Sequence, residues 1–144
     1  AGCPETDKYG YAYGDAGSLF NDMDTYGTST ATNKAVAWGY KEGIVRGFDD
    51  GGFHPEDPVT RKDTMIMLYR FAGKPQVSGE NTFTDVVSAN YPAASDTYKA
   101  ILWGSENGIT NGYSNGDGTY RFGSTERCKR EHIVTFLYRY DQQY

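Results

Sequence analysis

The sequence predicts a mainly α-helical protein. Two helix–loop–helix repeats pack as one compact bundle behind an irregular aromatic N-terminal extension. Three observations lead there. The segment WGYKEGIVRG at 38–47 returns as WGSENGITNG at 103–112, and TRKDTMIMLYRF at 60–71 returns as KREHIVTFLYRY at 129–140. The loops between them, FDDGGFHPEDPV and GYSNGDGTYRFGST, are too rich in Gly, Pro and Asp for helix.

Taken in order, residues 1–19 match neither copy. Within them YGYAYG at 9–14 alternates Tyr9, Tyr11 and Tyr13 with small residues, the period of a strand or of a loop packed on the bundle. The first copy, 20–73, opens on FND and the second, 83–144, on FTD, with a linker at 74–82. The Trp-containing segments predict short helices over 33–42 and 95–107, stopped by Gly43 and Gly108. The Arg-led segments predict the second helices. Thr60 with Asp63 three residues on approximates a capping box, and copy two has Lys129 in place of the Thr. Ile133, Phe136, Leu137 and Tyr140 fall on one helical face, matched by Thr64, Met67, Leu68 and Phe71.

Composition excludes several functions. Leu, Ile, Val and Phe total 23 of 144 residues, a fraction that suggests disorder only with high net charge, and the net charge is −5. Thirteen Tyr and two Trp supply the missing apolar mass. A pI near 4.9 and the lack of a basic block argue against nucleic acid. No apolar run of about 18 residues exists, so no membrane insertion is expected. The opening AGCPETDKYG has neither the basic nor the apolar region of a signal peptide.

The order Phe-x-Asp, Trp, Gly-Ile-x-x-Gly, Phe-x-Pro, Thr-Arg and Leu-x-Arg resembles the S-layer homology domain. Copy one carries FND, AVAW at 35–38, GIVRG at 43–47, FHPEDPVTRKD at 53–63 and LYR at 68–70. Copy two carries FTD, AILW at 100–103, GITNG at 108–112 and CKREHIVTFLYR at 128–139. The resemblance implies a helical bundle on the outside of a bacterium, at the cell surface or in the cell wall. There it binds a secondary cell-wall polymer in grooves between repeats and anchors a surface protein. The alternative is a structural or protein-interaction scaffold, with another surface protein as partner. Relatives usually use three repeats, so residues 1–19 complete the bundle, or chains combine as a homo-oligomer, or glycan binding has been lost.

By position the motif arginine implicated in ligand contact is Arg61 in copy one and Arg130 in copy two. A guanidinium fork suits a carboxylate, and N–H groups at a helix start add to the pull on an anion. The competing reading pairs each Arg with an acidic residue of the neighbouring repeat. Thr60, Asp63 and Tyr113 complete the candidate ligand-binding set. Trp38 and Trp103 lie inside apolar patterns and read as core rather than sugar platforms. The loop carboxylates Asp49, Asp50, Glu56, Asp57 and Asp117, with Asn115, lack calcium-loop spacing. His54 and His132 have no zinc-like neighbours and read as ordinary satisfied or solvated histidines. No motif singles out a catalytic pair, so neither enzyme activity nor a cofactor is expected. Cys3 and Cys128 form either a disulfide, which an exported protein would keep, or two free thiols. Ala-Gly-Cys resembles the end of a lipobox, yet a mature lipoprotein begins at its Cys.

Overall fold

The computed structural model describes residues 14–23 and 30–144. Over these the chain is mainly helical, with four α-helices and one short hairpin. It divides into two compact units, Ala1–Asp57 and Pro58–Tyr144. The tyrosines of the aromatic extension, Tyr9, Tyr11 and Tyr13, lie outside the described residues.

In the first unit a 3-10 turn, Ala16–Ser18, precedes α1, Ala31–Lys41. Thr30 caps α1 by accepting from the Asn33 N–H at 3.1 Å, and Gly43 ends it at φ +72°. A small core forms from Ala16, Phe20, Met23, Val36 and Ala37, with Leu19, Trp38 and Phe53 packed against it. One polar group is buried there: Asn33 Oδ1 accepts the Ala16 N–H at 3.0 Å and ties the turn to the helix. The Asp22 carboxylate accepts the N–H groups of Phe53 and His54 at 2.8 and 2.7 Å. This clamps the loop after α1 to the turn that carries Phe20, whose ring lies 5.4 Å from Phe53. Gly47 passes so close that a Cβ there would sit 2.5 Å from the Phe20 ring and 2.9 Å from the Gly52 carbonyl oxygen.

The second unit holds α2 (Arg61–Phe71), α3 (Asp96–Glu106), the antiparallel pair β1 (Tyr113–Ser114) and β2 (Tyr120–Arg121), and α4 (Arg130–Asp141). Its core joins Met65, Leu68 and Tyr69 of α2 to Ala100, Ile101 and Trp103 of α3, with Phe83, Ile109, Phe122 and Phe136. Helices α2 and α3 approach closely at Gly104, where a Cβ would meet Met65 Sδ at 2.6 Å. Arg70 and Lys74 pair with Asp96 at 3.1 and 3.0 Å beside that seam. The loop clamp appears again. Asp85 accepts the N–H groups of Phe122 and Gly123 at 2.7 and 2.8 Å, and Phe83 packs 5.7 Å from Phe122. Gly112, at φ +66°, leaves no room for a Cβ between the Phe83 ring and the Arg121 carbonyl, each 2.5 Å away.

The structure differs from expectation at three places. First, the buried stripe of α2 is Arg61, Met65, Leu68 and Tyr69, while Phe71 is exposed. Hydrophobicity counting treats Arg61 as surface, so it turns the stripe by about one residue, roughly 100°. Second, on α4 only Phe136 of the predicted face is buried, and Leu137 is exposed. Lys129 makes no side-chain cap there, as its chemistry requires. Third, of the two readings of Cys3 and Cys128 the disulfide is not seen, and Cys128 is a free thiol. Its half-buried side chain packs on the core of the second unit. Cys3 lies outside the described residues.

Removing the second clamp leaves two loop N–H groups without their acceptor. Asp85→Ala is expected to lower stability to urea by about 2–4 kcal/mol. Asp85→Asn, which keeps one acceptor oxygen, should lose about half of that.

Candidate functional site

The sequence-predicted residues separate into a cavity group and a capping group. Arg61 and Tyr113 line a cavity of about 260 Å³ in the second unit, with Thr110 and Asn111 from the loop after α3 and His132, Thr135, Phe136 and Arg139 from α4. Thr60 and Asp63 cap α2. The Thr60 hydroxyl donates to the Asp63 carboxylate and accepts the Asp63 N–H at 3.3 Å, and Lys62 pairs with Asp63 at 3.0 Å. Arg130 is exposed at the head of α4, outside the cavity lining.

Arg61 is only 3% exposed. Its Nε donates to the Phe122 carbonyl at 2.9 Å and one Nη reaches Thr110 Oγ1 at 3.5 Å. The guanidinium lies over the Tyr113 ring at 4.4 Å and over Phe122 and Phe136 at 5.1 Å. Arg121 stacks on the same Tyr113 at 4.8 Å and pairs with Glu126. The competing sequence reading, a pairing with an acidic residue of the neighbouring repeat, does not describe this. Aromatic faces, not a neighbouring acid, surround the charge, and no carboxylate pairs with it among the described residues. Burial pushes its pKa below the ordinary arginine value, with nearby Tyr113 opposing. It remains a cation at neutral pH, with outer N–H donors to spare.

The expected help from the helix start is already spent. The Arg61 N–H donates to Glu126 O at 2.9 Å and the Lys62 N–H to Ser124 O at 3.1 Å. Attraction for an anion in this cavity therefore comes from side chains. Arg139 adds a second guanidinium, held by the Ile109 carbonyl at 3.3 Å. His132 is not satisfied as expected: its Nδ1 is buried with no hydrogen-bond partner among the described residues. Sequence reasoning missed Thr110, Asn111 and Arg139 as lining groups. Arg139 had a signal, since Leu-Tyr-Arg recurs in both copies, whereas nothing in the loop sequence marks Thr110 or Asn111.

Other candidates are engaged elsewhere. Trp103 is buried and donates from Nε1 to the Tyr144 hydroxyl at 3.1 Å, and Trp38 is half-buried against the first core. Asp117 accepts from Thr119, and Asn115 donates to Thr119 and Thr84. A larger cavity, about 400 Å³, lies by Lys74–Gly79 and α3. It contains none of the predicted residues, its Lys74 is committed to Asp96, and the Tyr69 hydroxyl donates to Pro75 O at 3.0 Å. Among the described residues no helix is long and apolar enough to cross a membrane.

Residues 19–65 match the family model of the S-layer homology domain, from the turn carrying Phe20 through the first residues of α2. No curated protein and no solved structure matches the chain. The segment 19–65 is thus similar to an S-layer homology domain, and domains of this family generally anchor surface proteins to cell-wall polymers.

Within that segment His54 bridges two loop carboxylates, Asp50 on Nε2 at 2.8 Å and Asp57 on Nδ1 at 3.1 Å, with its ring stacked on Phe48. The Asp50 hydrogen bond leads in raising the His54 pKa above its ordinary 6.5, and Asp57 adds to it. A raised folded pKa stabilises fully below the unfolded value and is lost as pH rises through the folded one. The urea midpoint of the first unit should therefore fall as pH is taken from about 6 to about 8.5. His54→Gln should flatten that slope. An unchanged slope in the variant would assign the titration elsewhere.

Proposed function

We propose that this S-layer homology chain is a non-catalytic module that binds an acidic cell-wall glycan through the Arg61 cavity and so anchors a protein at the bacterial surface. The organisation proposed is two repeats, 20–73 and 83–144, joined by 74–82. The parallel clamps of Asp22 and Asp85, with the parallel glycines Gly47 and Gly112, support that reading.

One observation carries the ligand assignment: a buried guanidinium with spare donors opens on a cavity and has no carboxylate partner among the described residues. Leaving a cation so placed costs free energy unless an anion or water completes it. A carboxylate on a sugar ring supplies two acceptors for the fork, and Arg139 offers a second charge. Tyr113 lies over the Arg61 guanidinium and lines the same cavity, where it would meet the sugar. Asn111 and Thr110 suit sugar hydroxyls, and the unpartnered His132 Nδ1 takes a further hydroxyl or a water. Thr60 and Asp63 contribute by fixing the start of α2, which aims Arg61. Arg130 is a contact of the same kind only where something covers α4.

The test is co-sedimentation with Gram-positive cell walls before and after acid extraction of their secondary polymers. Binding to intact walls and loss after extraction support the proposal, and no binding to intact walls from several species favours the protein-interaction scaffold. Arg61→Lys keeps the charge and loses the fork, and should weaken wall binding by about 10- to 100-fold. Arg139→Gln, at a half-buried position, should weaken it with little change in urea midpoint. If both variants sediment like wild type, the cavity is not the site.

A further inference from the structure

We infer that two copies of this chain pair through the outer face of α4, antiparallel and about a two-fold axis, as a closed dimer. The inference uses the second unit alone and stands apart from the glycan reading.

The face is a stripe of four residues. Arg130, Val134, Leu137 and Asp141 recur at intervals of four, three and four, the spacing of core positions along a coiled coil. All four are exposed, Val134 at 65% and Leu137 at 51%, and Tyr138 beside them is 65% exposed. Three neighbouring apolar side chains, each more than half exposed, mark an interaction surface. The cavity residues His132, Phe136 and Arg139 lie on the other side of the same helix.

The charges at the two ends of the stripe identify the partner. Arg130 and Asp141 are the first and last residues of α4, and each has the wrong sign for its end of the helix dipole. Glu131 and Arg139, off the stripe, have the favourable sign. Neither Arg130 nor Asp141 has an ion pair among the described residues. An antiparallel second α4 corrects both ends at once. Arg130 then lies beside the partner's Asp141, at the negative end of the partner's helix, and Asp141 lies beside the partner's Arg130. The same axis sets Val134 against the partner's Leu137 and Leu137 against the partner's Val134, so each apolar layer joins a smaller side chain to a larger one. A parallel pair would instead set Arg130 on the partner's Arg130 and Asp141 on the partner's Asp141, which like charges forbid. One helix of 12 residues makes a small seam. The dimer is therefore weak, with a Kd on the order of 10–100 µM.

Sedimentation equilibrium between about 1 µM and 1 mM should show the 16.0 kDa chain rising to twice its mass and stopping there. Arg130→Glu or Asp141→Arg sets like charges face to face. Each should weaken association at least about 10-fold with unchanged circular dichroism. Joined in one chain, the two substitutions restore opposite charges and should recover the wild-type Kd. Mixed as separate single variants, they should form a one-to-one heterodimer, because each carries the charge that the other lacks. Leu137→Glu should leave a monomer. A wild-type chain that stays monomeric to about 1 mM overturns the proposal and gives the face to a different partner. So does growth past the dimer, a Leu137→Glu variant that associates like wild type, or a double variant as weak as either single one.

Discussion

The loop after α1 and the loop after α3 are each held by one carboxylate. Asp22 in the first unit and Asp85 in the second each accept two consecutive backbone N–H groups from a segment more than 30 residues away. A glycine-rich loop has high conformational entropy in the unfolded chain, and two charge-assisted hydrogen bonds are a compact way to offset it. The clamp also sets what packs beneath it. It brings Phe53 onto Phe20 and Phe122 onto Phe83, and those rings leave room only for glycine at 47 and 112. In the second unit the clamped residue Phe122 then presents its carbonyl to Arg61 Nε. The candidate site is thus built on the clamp.

Arg61 shows what that arrangement makes possible. Burying a guanidinium is costly, and the usual remedy is an ion pair. Here three aromatic rings lie around it, and the Phe122 carbonyl fixes its orientation. Cation–π contacts offset part of the desolvation while leaving donors unspent. A carboxylate partner would have neutralised the charge and closed the cavity. The chain puts its carboxylates beside it instead: Glu126 on Arg121, Asp63 on Thr60 and Lys62.

The helices and loop positions were legible from repeat spacing, glycine stops and the Thr60 cap, because these are local signals. Gly43 and Gly108 end α1 and α3 at positive φ as their positions require. The buried stripe of α2 was not legible, because a charged residue sits at its head and only tertiary packing reveals that it is inside. Of the candidate site, Arg61 and Tyr113 were readable from motif and composition. His132 was read as ordinary and Arg139 was passed over, since their shared direction depends on how α4 packs. The anion pull expected at the start of α2 failed for a related reason: carbonyls of the 124–126 segment, remote in sequence, take those N–H groups.

Helix α4 is where these threads meet. It starts without a side-chain cap and buries one residue, Phe136, so it has less holding it than α2 or α3. One of its faces gives His132, Thr135, Phe136 and Arg139 to the cavity, and the opposite face shows Val134, Leu137 and Tyr138 to solvent. A weakly held element is ordered by whatever packs on either of its faces. Whatever orders α4 from outside lowers the entropy that a ligand must remove from inside, and the reverse holds by the same amount.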